Sequence, residues 1–490
     1  MSYPTLQSGL TRLAPGQALC AGSAWPRVPR RPKVFGLLGL LGALLLTSCG
    51  ADEPVHREPE RPRRIVLVTL DTLRLDAFDG PQSAMPELRA WADRGRLFEQ
   101  YYSVTSTTRP THATLFTGLY PWEHGLTSNA MNFSRQHETV AEILSAQGFE
   151  TAAVVASFPL HGVFGFDQGF GLYVNEFGEE GELLTEEAFT DVDDDEEGRN
   201  GHLHSEADRI LERSLTVLDG MSAGDQFLWF HFFDPHAPYG DSLKTDEESA
   251  ANGGRYTPAR IFRGLRNGKV LSEVLAELRE FYDADVRYLD AVLAQLLERI
   301  DADAEQFETH VVIVSDHGEA LGDAGSIGHG KRLLDCLIRV PLCIVSPRVE
   351  PGRSQAPAGS VDVAATLLAM AGLEGRLPRG RDLTGELADG APVYGMRRTF
   401  EEPTRELRTD KRKHVLPERL FFAVRSGSYY RGDSEAVRLG DSAASRVTDR
   451  QALAVRELFA GFQQQLEALE VEAIDDPELL KRLEALGYTQ

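Results

Sequence analysis

Acids and histidines recur in this chain at the ends of apolar runs. Asp71 closes "RIVLVTLD", Asp234 and His236 lie in "FHFFDPHAPY", and Asp316 and His317 close "THVVIVSDHGE". A further segment, "TSTTRPTHATLFTGLYPWEHG" from Thr105 to Gly125, is rich in hydroxyls and carries Arg109 and His112. Carboxylates and imidazoles converging from separate strand ends suit a divalent cation. A hydroxyl beside such a cation can be activated as a nucleophile. Each pair alone has an ordinary structural explanation, an N-cap aspartate or a surface histidine. Three such ends around one turn rich in Thr, Arg and His point to chemistry.

The elements that must position these residues are legible as patterns. Ile65 to Leu70 is a nearly continuous apolar run, as expected of a parallel strand buried on both faces. Asp71 then falls at the strand's C-terminal edge, where ligand sites of open α/β sheets collect. "AMPELRAWADRGRLFEQYYSV" and "HETVAEILSAQGFETAAVVAS" each read as helix then strand. "ADRILERSLTVLDG" reads as a helix leading to the strand "QFLWFHFF", and "VLSEVLAELREFYDADVRYLDAVLAQLLERI" as a long helix leading to "THVVIVS". The alternation predicts an α/β fold, a mostly parallel sheet flanked by helices.

Two stretches interrupt it. Residues from about 176 to 204 form an acidic surface insertion; Asp191, Asp193 and Asp195 resemble a calcium loop, but Glu196 stands where the loop needs glycine. After residue 375 the chain is more polar, with one strand-like segment, "RLFFAVRSGSYYRG", and the helical patterns "RQALAVRELFAGFQQQLEALE" and "PELLKRLEAL". Residues 376–490 therefore read as a small C-terminal α+β subdomain, and 64–375 as the catalytic domain.

The chain has 490 residues and a net charge of −24. Such a surface repels nucleic acid. It does not exclude an anionic ester substrate, because a bound metal reverses the local sign. Cys20, Cys49, Cys336 and Cys343 are too few for a disulfide scaffold, and the last two read as buried thiols. Arg27, Arg30, Arg31 and Lys33 precede "VFGLLGLLGALLL" and then "TSC". The apolar run is short for a membrane span and fits a signal peptide. "LTSC", ending at Cys49, resembles a bacterial lipoprotein lipobox. That resemblance implies a signal peptide over 1–49, lipid on Cys49, a polar tether over 50–63, and a bacterial cell-envelope protein anchored in a membrane and facing the periplasm or exterior.

In order along the chain, "IVLVTLDTLRLD", "RPTHATLFTGLYPWEHG", "TVAEILSAQGFETAAVVAS", "FHFFDPHAPY", "SDHGEALGDAGSIGHG", "IRVPLCIVSP" and "VDVAATLLAMAGL" together resemble the sulfatase family of the alkaline-phosphatase superfamily. The resemblance covers roughly residues 64–375 and implies the alkaline-phosphatase-like fold. It implies one metal site from Asp71, Thr108, Asp316 and His317, and a substrate-contacting role for His236. His329 matches a substrate-binding histidine of the transferase branch, with Lys331 as the alternative. Arg109 and Asp234 are carried over as substrate-binding, and His112 as catalytic because it takes the family's arginine position. Asp234, His236 and His329 could alternatively complete a second metal site.

The family's nucleophile pattern is Cys-x-Pro-Ser-Arg; here it reads Thr108-Arg109-Pro110-Thr111-His112. The resemblance implies that Thr108 takes the nucleophile position. Sulfatases use a formylglycine made from cysteine or serine, a route closed to threonine. Threonine is the nucleophile in phosphodiesterases, phosphonatases and phospho-group transferases of the superfamily. The family's Gly-Lys-Trp-His-Leu-Gly segment is also replaced, by "VVASFPLHGVFGFDQGF", where only His161 could substitute. An imidazole ligand favours zinc or manganese over calcium, which prefers oxygen ligands, although calcium remains possible. The expectation is a metal-dependent hydrolase of phosphate or sulfate esters, with phosphoester chemistry through threonine favoured. The alternatives are a sulfatase without formylglycine, a transferase to envelope glycans or lipids, and an inactive binding protein.

Overall fold

The computed structural model describes residues 61–81, 83–175, 204–240, 270–387, 391–400, 415–425, 428–432, 437–439 and 450–469. The signal peptide with Cys49, most of the tether, nearly all of the acidic insertion and the last helical pattern lie outside these residues. At the centre is an eight-stranded sheet. Across it run Gly352–Ser354, Arg96–Phe98, Leu342–Val345, Glu308–Ser315, Arg63–Leu70, Gln226–Phe232, Glu150–Val155 and Leu172–Val174. Only Leu342–Val345 runs antiparallel to its neighbours.

The register of the three middle strands builds the site. Leu70 lies opposite Phe232 on one side and Ser315 on the other, all in parallel pairing. The residues that follow them therefore leave the sheet at one edge and at one level, and the Asp71 N–H donates to the Phe232 carbonyl at 2.9 Å. Alternation along the central strand sends Ile65 and Leu67 to one core and Val66, Val68 and Leu70 to the other. The first core is closed by helices Thr108–Thr117, Val140–Ala146 and Ser360–Met370. The second is closed by Ala207–Gly220 and Leu271–Asp301. In the long helix Tyr282, Val286, Leu289, Leu293, Leu296 and Ile300 form one buried stripe, the spacing an amphipathic helix needs.

The segment expected as one strand near residue 420 is two, Val415–Arg425 and Ser428–Gly432, paired antiparallel between Val393–Phe400 and Val437–Leu439. The break falls at Ser426-Gly427, a turn dipeptide in the sequence. This second sheet braces the chain that leads into helix Thr108–Thr117. The Met396 N–H donates to the Val104 carbonyl at 2.7 Å. Neighbouring Gly395 must lack a side chain, since a Cβ there would sit 2.2 Å from the Val104 oxygen. Trp122 stacks on Phe462 of helix Arg450–Glu467 with ring centres 4.1 Å apart. Cys343 is buried and Cys336 half-buried, and both are free thiols. Among the described residues no helix is long and apolar enough to cross a membrane.

Candidate active site

Asp71, Asp316 and His317 come together at the shared strand edge. Each is fully buried, and one ligand atom from each lies within 4.8 Å of the others. Backbone geometry sets the pair of acids. Thr72 adopts a left-handed conformation, φ 56°, costly for a β-branched residue by about 1–3 kcal/mol. It thereby turns its N–H to Asp316 Oδ1 at 3.3 Å, while its carbonyl accepts from the Tyr282 hydroxyl at 3.0 Å. Gly318 follows His317 because a Cβ there would meet the Cys336 carbonyl at 2.0 Å.

His317 donates from Nδ1 to the Gly318 carbonyl at 3.1 Å, so its Nε2 carries the lone pair. That Nε2 lies 3.8 Å from Asp71 Oδ1, 3.6 Å from Asp316 Oδ2 and 3.4 Å from the Thr108 hydroxyl. Thr108 opens helix Thr108–Thr117, and the positive end of a helix favours an anionic group beside it.

The electrostatics of the pair are unbalanced. Burial pushes the Asp71 carboxyl up to about 7. Burial, then the charge of Asp71, pushes Asp316 up to about 8. Burial holds His317 down at about 4, so it stays neutral and offers no compensating charge near neutral pH. Both Asp71 oxygens and Asp316 Oδ2 are buried without a hydrogen-bond partner. Two carboxylates with orphaned oxygens, a neutral imidazole lone pair and a hydroxyl form a donor set that fits a divalent cation.

Outward from His317 follow two more imidazoles. The His329 ring lies 4.4 Å from that of His317 and 4.9 Å from that of His236. His236 stacks on Phe233 and donates from Nδ1 to the Ala237 carbonyl at 2.6 Å. His329 is held by Glu319, Nδ1 to Oε1 at 3.1 Å.

The family profile described as Sulfatase matches residues 63–373, more than half of the chain. The chain belongs to the sulfatase family. It is 26% identical over 212 residues to an N-acetylglucosamine-6-O-sulfatase of Bacteroides thetaiotaomicron, a match covering 41% of this chain and 35% of that protein. It is 24% identical over 410 residues to the multifunctional alkaline phosphatase superfamily protein PehA of Trinickia caryophylli, covering 67% of this chain and 78% of PehA. The structure resembles the phosphonate monoester hydrolase SpPMH of Silicibacter pomeroyi, with a TM-score of 0.58 and 18% identity over 83% of this chain and 94% of that one. The expected alkaline-phosphatase-like fold is thus present.

Within this sulfatase-family site several sequence expectations need correction. Arg109 is fully buried, with Nε donating to the Pro159 carbonyl at 2.6 Å and Nη1 to those of Asn129 and Met131. Its guanidinium lies 3.4 Å above the Phe164 ring. It ties three loop carbonyls together rather than facing a substrate. Arg109→Leu is expected to cost roughly 3 kcal/mol or more, because buried carbonyls lose their donors. The melting temperature should fall while KM for a cleaved ester stays unchanged; thermal melts and steady-state kinetics on the variant check this.

His112 lies against the carboxylate pair, its Nδ1 3.8 Å from Asp316 Oδ2. It donates from Nδ1 to the Thr108 carbonyl at 2.9 Å, and its Nε2 accepts from the Thr69 hydroxyl at 3.2 Å, itself bonded to Trp229 Nε1 at 2.9 Å. Both nitrogens are engaged inside the core, so His112 supports the first turn of the Thr108 helix. Asp234 accepts the Ala207 N–H at 2.9 Å at the start of helix Ala207–Gly220. Among the described residues the group of three able to hold an ion is Asp71, Asp316 and His317; Asp234, His236 and His329 do not form a second. Lys331 is exposed beside His329, which its charge helps to hold down at about 4, after burial. His161 caps a turn by accepting the Val163 N–H at 3.0 Å.

Two residues at the site escaped the sequence reading. Glu319 was inside the quoted "DHGE" without a role. His231 lies in the strand Gln226–Phe232, opposite Thr69. The only signal for it was a titratable residue in the middle of an otherwise apolar strand.

Proposed function

We propose that this protein is a metal-dependent hydrolase of anionic esters that moves a phosphoryl group first to Thr108 and then to water. The observation that carries the reading is the placement of the Thr108 hydroxyl, 3.4 Å from His317 Nε2, beside two buried carboxylates, of which both Asp71 oxygens and Asp316 Oδ2 lack a hydrogen-bond partner. Asp71, Asp316 and His317 would hold the cation, zinc or manganese suiting a mixed oxygen and imidazole set better than calcium. When bound, the cation supplies positive charge against an anionic ester and favours the ionised hydroxyl. Thr108 Oγ would give its proton to solvent and form the new bond as the ester P–O bond breaks and the alcohol leaves, taking a proton from water; water would then take the phosphoryl group, releasing phosphate and restoring the hydroxyl. His236 and His329 line the outer side, where an ester would sit against them. Glu319 fixes the ring of His329 through Nδ1.

A second reading, sulfate-ester hydrolysis without formylglycine, is favoured by the named activity of the Bacteroides thetaiotaomicron relative. One experiment separates the two. The protein loaded in turn with zinc, manganese and calcium is offered nitrophenyl phosphate, its diester, a phosphonate ester and nitrophenyl sulfate. Turnover of the phosphorus esters above the sulfate is expected. Preferential sulfate turnover would replace the leading reading with the second, and failure on all four esters would discard hydrolysis.

A further inference from the structure

We propose that His231 is a positioning residue for the candidate metal site: it holds the Asp71 carboxylate from behind as a neutral Nε2–H donor and is not itself a ligand. The inference rests on the metal-dependent reading above and deepens it.

The tautomer follows from the backbone. The Ala156 N–H donates to His231 Nδ1 at 3.2 Å. A nitrogen that accepts this bond carries a lone pair, so in the neutral ring the proton sits on Nε2. That Nε2–H lies 3.6 Å from Asp71 Oδ2, beyond hydrogen-bond length in this structure, and neither atom has a hydrogen-bond partner. A ligating imidazole must present a lone pair to the cation, and here the backbone has already taken it. The fixed tautomer therefore excludes His231 as a ligand and leaves it only as a donor.

Placement supports the role. Strand pairing sets His231 opposite Thr69, two residues before Asp71, and opposite Val155 on the other side. The ring is fully buried and packs edge-on against His112, 5.4 Å between centres, with Trp229 at 6.3 Å. It has no room to swing. Asp71 thus faces His317 with Oδ1, at 3.8 Å, and His231 with Oδ2, at 3.6 Å. One oxygen points into the site and the other to a donor fixed in the sheet. Such outer partners orient a ligand carboxylate, and their loss typically costs about 10–100-fold in metal affinity.

The test measures zinc and manganese affinity by competition with a chromophoric chelator, on wild type, Asp71→Asn, His231→Met and His231→Gln. Methionine keeps an unbranched side chain of similar reach and removes the donor; glutamine keeps a donor. The expected result is strong loss in Asp71→Asn, a Kd raised about 10–100-fold in His231→Met, and recovery of most of the affinity in His231→Gln. If Asp71→Asn loses the metal while His231→Met binds as tightly as wild type, the role of His231 is overturned and the metal site stands. If wild type binds neither ion, or Asp71→Asn binds as tightly as wild type, both readings fall together. A measurement on wild type alone guards against a variant that does not fold. Long-range proton–nitrogen spectra of histidine-labelled protein loaded with cadmium-113 should show His231 protonated at Nε2 and uncoupled to cadmium. Cadmium coupling at His231, or an unprotonated Nε2, would overturn the assignment.

Discussion

Thr108→Ala should lose on the order of 10⁴- to 10⁶-fold in kcat on whichever ester the protein turns over, as removal of a covalent nucleophile does elsewhere. The size follows from the site. Thr108 is fully buried at the first position of its helix, and its hydroxyl faces the one imidazole lone pair that also faces both carboxylates. Two neighbouring hydroxyls are already engaged. Ser106 donates to the Arg332 carbonyl, and Thr111 to the Thr107 carbonyl. Thr108→Ser keeps the oxygen and should keep much of the rate. Acid quenching during turnover and mass spectrometry of the Thr105–Gly125 region should find a phosphoryl adduct in wild type and none in the alanine variant. Turnover that survives Thr108→Ala unchanged would show that water attacks directly and that Thr108 only lines the site.

The architecture and the grouping of Asp71, Asp316 and His317 were legible because they depend on local patterns. A parallel strand buried on both faces must be a continuous apolar run, and the residue that ends it must sit at the sheet edge. Asp71, Asp316 and His317 were found that way. The misassigned residues share a different logic. Arg109, His112 and Asp234 sit in motifs whose types suit substrate binding, yet Arg109 and His112 donate to backbone carbonyls and one Asp234 oxygen accepts a backbone N–H. Sequence spacing does not tell whether a side chain turns toward the pocket or back into the core. His231 was invisible for the opposite reason. Its role comes from strand register and from one backbone N–H, that of Ala156, which lies 75 residues away. The hairpin near residue 420 was missed because two strands joined by Ser-Gly read as one run when the turn is not weighed.

Asp316→Asn should exchange stability of the metal-free protein for loss of the metal. Asp316 Oδ1 already accepts the His317 N–H at 2.7 Å and the Thr72 N–H at 3.3 Å, and the asparagine carbonyl can keep both bonds. Oδ2 is buried without a hydrogen-bond partner, 3.6 Å from His317 Nε2. Above about pH 8, where the Asp316 carboxyl is ionised, an asparagine amide in its place turns a repulsive pair of acceptors into a donor facing a lone pair. It also removes a buried acid that the charge of Asp71 already pushes toward protonation. The metal-free variant should therefore melt above metal-free wild type. With metal the order should reverse. A ligand at 100 times its Kd stabilises the folded state by about 2.7 kcal/mol, and the variant should forgo that gain because a ligating carboxylate has become neutral. Its affinity should fall by more than the roughly 10–100-fold typical of losing an outer partner. Thermal melts of both proteins with zinc and with a chelator give all four values. A variant that melts lower than wild type without metal, or that keeps the full metal-dependent rise, would show that the two acids are not balanced by a cation, and the centre proposed for catalysis would have to move.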